Sequence, residues 1–231
     1  MPIVFWVQHL IVKRHQVFTF VNTQIHRMEM DFYKELGKDV RFTEGLTGCL
    51  HCGTCTAICP AAEFYNYDPR IIAETVQTRD NEKIRELLSG NTIWYCGECM
   101  SCKTRCPRGN VPGEVINVLR KISQELGYHT ESVEGRKQQD IMRGVGANIL
   151  KIGYCVHPDT VDPKLHPEQG PIWAWYVEHI KEVAPRFGAN YQGDGPGALR
   201  KIRQENLDEI RKIFEISGGI DLRNKVMENK E

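Results

Sequence analysis

Apolar positions recur at helical spacing through most of the chain, and the breaks in that spacing divide it into three parts. Residues 1–40 read as an N-terminal arm. Its run Ile3, Val4, Phe5, Trp6, Val7, Leu10, Ile11 and Val12, followed by Val17, Phe18, Phe20 and Val21, is too apolar and β-branched for a loose tail. It packs either on this chain's own core or on a neighbouring subunit. From Ile25 to Leu36, apolar or aromatic residues stand at 25, 28, 32, 33 and 36, which predicts a helix closed by Gly37.

Residues 41–127 predict a second, wholly helical part. Asp68-Pro69 reads as a cap and first helical residue ahead of Ile71, Ile72, Thr75 and Val76. Asp80 or Asn81 caps a further helix carrying Ile84, Leu87 and Leu88 and ending at Gly90. A third helix opens at Pro112, places Val115, Leu119, Ile122 and Leu126 on one stripe, and stops at Gly127. Arg120 and Lys121 fall off that stripe and read as its solvated face.

Residues 128–231 form an extension of helices and loops. Residues 131–151 predict a helix through Val133, Ile141, Val145, Ile149 and Leu150, weakened by Gly135, Gly144 and Gly146. Loops are expected at 153–171 and 185–197, where Pro and Gly gather. Between them Ile172–Val183 reads as a short helix bearing Trp173 and Trp175. A longer helix is predicted from Ala198 to Ser217, stopped by Gly218-Gly219. The expected fold class is mainly α.

The cysteines change this picture. Cys49, Cys52, Cys55 and Cys59, followed by Pro60, repeat as Cys96, Cys99, Cys102 and Cys106, followed by Pro107: two copies of C-x2-C-x2-C-x3-C-P. Three closely spaced cysteines can bind three irons on one face of a 4Fe-4S cube, and in two-cluster ferredoxins the fourth cysteine ligates the other cluster. The expected ligand sets are therefore Cys49, Cys52, Cys55 and Cys106 for one 4Fe-4S cluster, and Cys96, Cys99, Cys102 and Cys59 for a second. Structural zinc fits badly, because zinc knuckles pair one C-x2-C with ligands well downstream. A disulfide framework belongs to short secreted chains.

Lys plus Arg and Asp plus Glu are both 30 in 231 residues, so no net charge draws the chain to nucleic acid. The N-terminal apolar run is broken by Gln8, His9 and Lys13-Arg14-His15, too early for a transmembrane segment. Peripheral anchoring at a membrane surface ranks behind the other roles of the arm, because its polar positions form no basic face. No secretory signal is expected, and a cytoplasmic location follows.

The two motifs, their helical linker, Ile93-Trp94-Tyr95 leading into the second and Pro107-Arg108-Gly109 leaving it resemble the α-helical ferredoxin domain of HdrC, an iron–sulfur component of heterodisulfide reductase. A more distant likeness runs to the iron–sulfur subunits of succinate dehydrogenase, fumarate reductase and glycolate oxidase. The resemblance implies two 4Fe-4S clusters, electron transfer between an HdrA-like flavin subunit and an HdrB-like subunit, and no catalysis by this chain alone. The adjacent Cys-Cys pairs of the HdrB family are absent. The alternative is a binding or scaffold subunit whose clusters only staple the fold.

A few residues draw separate expectations. Cys155, near His157 and His166, reads as a buried unreactive cysteine rather than a reactive thiol or metal ligand. His51, inside the first motif, reads as a solvent-facing loop residue. Lys103, Arg105 and Arg108 raise a nearby cluster's potential or meet an acidic partner. Protein purified without oxygen is expected to carry about eight iron and about eight acid-labile sulfides per chain. Iron near four, or zinc near two, in elemental analysis would contradict the two ligand sets.

Overall fold

The computed structural model describes residues 30–165 and 170–228; the arm's apolar run, residues 25–29 of its expected helix and His166 lie outside them. The chain divides into two compact units, Met1–Ser132 and Val133–Glu231. The described residues are mainly helical and contain no strand.

The first unit begins with α1 (Phe32–Leu36) and α2 (Val40–Gly45). The helix expected from Ile25 is interrupted at Asp31, whose backbone is extended and whose carboxylate accepts the Lys34 N–H at 3.0 Å. That cap forces a helix start at Phe32. Two short helices follow, α3 (Thr54–Ala57) and α4 (Ala61–Phe64), then α5 (Pro69–Gln77) and α6 (Asn81–Ser89). Asp68 caps α5 through the Arg70 and Ile71 N–H groups, and Asp80 caps α6 through those of Glu82 and Lys83. After a 3-10 turn, Thr92–Tyr95, come α7 (Ser101–Arg105) and α8 (Pro112–Glu125), with Gly127 in the left-handed region at φ 78° behind it.

α8 is the centre of this unit. Its stripe of Val115, Ile116, Leu119 and Ile122 is buried against Leu36, Ile72, Val76, Ile84, Leu88 and Ile93. Each such side chain contributes about 1.5–3 kcal/mol on leaving water. The same helix touches α1, α2, α5, α6 and α7. Val111 donates its N–H to Gly45 O at 2.7 Å, which fixes the start of α8 at the end of α2.

The second unit contains α9 (Val133–Ile141), a π-helical turn (Met142–Gly146), α10 (Ala147–Ile152), α11 (Pro171–Glu178), α12 (Ile180–Val183), α13 (Gln204–Ile216) and α14 (Gly219–Glu228). The π turn falls on two of the three glycines that weaken the sequence expectation, Gly144 and Gly146. The helix expected from Ala198 starts only at Gln204. Residues 198–201 use their backbone otherwise: Ala198 O accepts from Asn190 N, Leu199 O from Gln192 N, and Lys201 N donates to Gly193 O. Gly218, at φ 77°, does end α13, but the chain turns there into α14 rather than leaving helix. Gln139 ties α9 to α14 by donating to Val226 O at 2.6 Å.

In the first unit, Asn81 clamps α1 onto α6. Its Oδ1 accepts from Phe32 N at 2.9 Å and its Nδ2 donates to Met30 O at 2.6 Å. Asn81→Ala leaves both backbone groups without these partners and is expected to lower stability by about 1–3 kcal/mol. The check is an earlier melting midpoint in an anaerobic thermal scan.

Candidate metal centre

The two cysteine motifs fold on one repeated backbone. His51 (φ 57°) and Gly53 (φ 77°) flank Cys52 in the left-handed region, and Glu98 (φ 53°) and Met100 (φ 56°) flank Cys99 at the corresponding positions. Left-handed residues on both sides of a cysteine curl the loop so that its sulfur and those of its neighbours share one concave side. A non-glycine residue held there costs roughly 1–2 kcal/mol, and three of these four are not glycine. After each curl a short helix begins, α3 or α7, which carries the third cysteine.

The chemistry of the sulfurs repeats as well. Cys52 Sγ lies 3.3 Å from Thr54 Oγ1, and Cys99 Sγ lies 3.4 Å from Ser101 Oγ. Those hydroxyls favour the thiolate and lower both thiol pKa values. Burial raises those of Cys55 and Cys102. The Cys49 sulfur accepts the His51 N–H at 3.4 Å.

Packing of α3 against α7 brings the motifs side by side. One small cavity is lined by Cys49, Cys52 and Cys55 of the first motif and by Cys106 of the second, with Arg70 and Arg108 in its wall. Cys59 does not line that cavity: it and Cys96 pack against the core that holds Tyr67, while Cys102 feels the charge of Cys96 and Cys99. Among the described residues no three His, Cys, Asp or Glu side chains are gathered for a single metal ion. A cube makes no such demand, since its four thiolates sit on different irons. A soft all-thiol donor set, with one cysteine supplied by the opposite motif, fits a 4Fe-4S group.

Several supporting residues carry no mark in the sequence. Asn110, buried, accepts through Oδ1 from Thr47 N at 3.0 Å, Thr47 Oγ1 at 3.2 Å and Gly48 N at 3.4 Å, and donates through Nδ2 to Gly48 O at 2.9 Å. It holds the chain leaving Cys106 against the chain entering Cys49. A single Asn after Gly109 reads only as a turn residue, so no local signal reveals this role. Gln77 accepts the Cys49 N–H at 2.6 Å. Gly113, at the start of α8, approaches the second motif so closely that a Cβ there would meet Met100 sulfur at 3.0 Å and Cys102 sulfur at 3.6 Å. Its N–H points to the Cys102 sulfur, at the positive end of the helix dipole.

Arg120 overturns its expected place on a solvated face. Its side chain is only 13% exposed. Nε donates to Ile93 O at 2.8 Å, Nη2 to Cys96 O at 2.6 Å, and Nη1 to Glu98, while the guanidinium lies over Trp94. Helical position alone puts Arg120 off the stripe; the carbonyls of Ile93 and Cys96 are what draw it in. Lys121 bonds Asp39 at 3.2 Å. Burial also differs from expectation at Cys155, which is exposed because it lies in a bend after α10. Neighbouring His157 is buried, its Nδ1 accepting from Asp159 N at 3.2 Å. His51 is exposed, 3.3 Å from Glu74, and Lys103, Arg105 and Arg108 are exposed as well.

Replacing Asn110 by Ala removes the acceptor from two backbone N–H groups at the entry to Cys49, at about 1–3 kcal/mol for each one left unsatisfied. Asn110→Ala is expected to lose metal first from the cavity that Cys106 shares. Iron content falling by about half, with the spectrum of the Cys96 set retained, is the outcome to look for.

Residues 45–110 match the 4Fe-4S dicluster domain family. The C subunit of the ferredoxin:CoB-CoM heterodisulfide reductase of Methanosarcina acetivorans is 42% identical over 183 residues, covering 78% of this chain and 66% of the relative. The protein of the same name from Methanosarcina mazei is 31% identical over 156 residues, covering 67% of this chain and 80% of the relative. An iron-sulfur C subunit of the CoB–CoM heterodisulfide reductase of Methanocaldococcus jannaschii is 34% identical over 153 residues, with 64% and 74% covered. Among the described residues, no helix is long and apolar enough to cross a membrane. The matched dicluster domain and these relatives support 4Fe-4S clusters and an electron-transfer role. The chain belongs to the HdrC family of heterodisulfide reductase iron–sulfur proteins.

Proposed function

We propose that this chain is the electron-relay subunit of a heterodisulfide reductase-like complex and that it holds two 4Fe-4S clusters. Cys49, Cys52, Cys55 and Cys106 hold one; Cys96, Cys99, Cys102 and Cys59 hold the other. The observation that carries this reading is the cavity in which three cysteines of the first motif meet the fourth of the second. A bound 4Fe-4S cluster supplies a one-electron couple whose added charge spreads over the cube.

The chain's own residues do the rest. Four thiolates per site leave no iron open to a substrate, so the chain alone transforms none. The packing of α3 on α7 keeps the two sites adjacent. Gly113 and His51 direct N–H groups at cysteine sulfurs, where they favour the extra negative charge of the reduced state. An HdrA-like flavin subunit delivers electrons one at a time on one side, and an HdrB-like subunit spends them on a disulfide on the other. Relatives that are C subunits of ferredoxin:CoB-CoM heterodisulfide reductases support a one-electron donor and a disulfide acceptor for the complex. Residues 41–127 serve as the ferredoxin domain, with α1 and Tyr128 packed on its core, and the rest of residues 1–40 and 128–231 serve as docking segments, in a cytoplasmic complex.

Truncation after Gly127 tests the assignment of parts. The shortened chain is expected to keep iron and reversible one-electron reduction by dithionite while losing co-purifying subunits. Full retention of partners would refute the docking role; repeated turnover of a disulfide by the intact chain alone would refute the relay reading.

A further inference from the structure

Tyr67 lies in the linker between α4 and α5 and is 4% exposed. Its ring meets Tyr95 edge-on at 6.4 Å, and Tyr95 in turn stacks on Tyr65 at 4.5 Å. Tyr95, Cys59 and Cys96 pack against the core cluster to which Tyr67 belongs. Among the described residues the Tyr67 hydroxyl, wholly buried, has no hydrogen-bond partner of good geometry. The thiols of these two cysteines, Cys96 foremost, act on that hydroxyl. A buried O–H left unsatisfied costs about 1–3 kcal/mol, so its placement calls for an acceptor. A neutral thiol is a weak acceptor. An iron-bound thiolate is a far better one, and Cys96 would become one on binding metal.

Arg120 approaches the same cysteine from α8. Its Nη2 donates to the Cys96 carbonyl at 2.6 Å and its Nε to Ile93 O at 2.8 Å, so the cation is fixed within one residue of that sulfur. Glu98 shares the guanidinium but is about half exposed, at 52% against 13% for Arg120. Water therefore screens the carboxylate more than the cation. A tyrosine phenol carries its proton at neutral pH and is an O–H donor.

We propose that Tyr67 and Arg120 are tuning and positioning residues for the site formed by Cys59, Cys96, Cys99 and Cys102. Tyr67 donates its O–H to the Cys96 sulfur, and Arg120 locks the Cys96 backbone and places positive charge beside it. Both raise the reduction potential, because the reduced cluster carries one more negative charge than the oxidised one. The step is a single electron gained from a reductant, with no bond or proton exchanged. This inference rests on the reading that these four cysteines hold a 4Fe-4S cluster.

The test is an anaerobic dithionite titration of the full chain followed by electron paramagnetic resonance. Cys99→Ser identifies the signal of the second site by altering it. In Tyr67→Phe the ratio of reduced to oxidised second cluster at a fixed potential is expected to fall roughly threefold to tenfold, tenfold being about 59 mV for one electron. Arg120→Gln should move it the same way, and Arg120→Lys, which keeps charge but not the fork, should recover part of the shift. The signal of the Cys49 set should stay in place in all three. No shift, or an equal shift of both signals, overturns the proposal. If Tyr67→Phe loses the second cluster, the Arg120 pair decides: recovery by Lys upholds tuning, and identical behaviour of Gln and Lys overturns it. Absence of iron from the unsubstituted chain would instead sink the cluster reading itself.

Discussion

The hydrogen bond from Val111 N to Gly45 O, 2.7 Å long, joins the chain that leaves the second cysteine motif to the chain that enters the first. Asn110, one residue earlier, adds its bonds to Thr47 and Gly48. Together they close a loop of more than sixty residues. Everything between those points, α3 to α7, is thereby obliged to fold back on itself. The core supplies the driving force: Val115, Leu119 and Ile122 of α8 bury against Ile72, Val76, Ile84 and Leu88. Such burial is non-directional. The clip at 110–111 adds the registry that apolar packing lacks, and it is this registry that puts Cys106 in the cavity with Cys49, Cys52 and Cys55.

That arrangement explains why the linker is helical. Two loops that must lie side by side need a connection that leaves one and returns to the other at a set distance, and α5 and α6 provide it with rigid caps at Asp68 and Asp80. Asp68 does more than start α5. It also accepts from the Thr56 hydroxyl of α3 and pairs with Arg70 at 2.9 Å, so the cap of one helix anchors the short helix within the first motif. The strain of the left-handed loop residues is then held by structure on both sides, which is the condition under which such conformations persist.

Local chemistry makes much of this legible in the sequence. Asp68-Pro69, Asp80, Pro112 and Gly127 mark helix ends because each acts on its own backbone within a turn, and all four do so in the structure. The duplicated cysteine spacing is equally plain. What periodicity cannot register is contact between distant segments. Arg120 is off the apolar stripe yet largely covered, since Ile93 and Cys96 offer it carbonyls; Tyr67 packs on Tyr95 and Asn110 bonds Thr47, both far along the chain. Periodicity misplaces the start of α13 for the same reason: residues 198–201 bond back to 190–193, a choice that helical propensity does not encode. Gly218-Gly219 reads as an ending, whereas one left-handed glycine suffices to turn the chain into α14.

Two sites built on one backbone can differ only through what surrounds them. At the first, Arg70 is paired with Asp68 at 2.9 Å, and the N–H of Cys49 is taken up by the neutral amide oxygen of Gln77. At the second, two of the three Arg120 contacts are carbonyls, which orient the cation without cancelling its charge, and Glu98 is the more solvated partner of the third. The start of α8 adds its N-terminal dipole at Cys102. Charge near a low-dielectric group acts more strongly than the same charge in water. The repeated loops therefore present like sets of thiols, while the walls of Tyr67, Arg120 and Gly113 are not repeated, and the proposed difference in potential between the two sites rests on them.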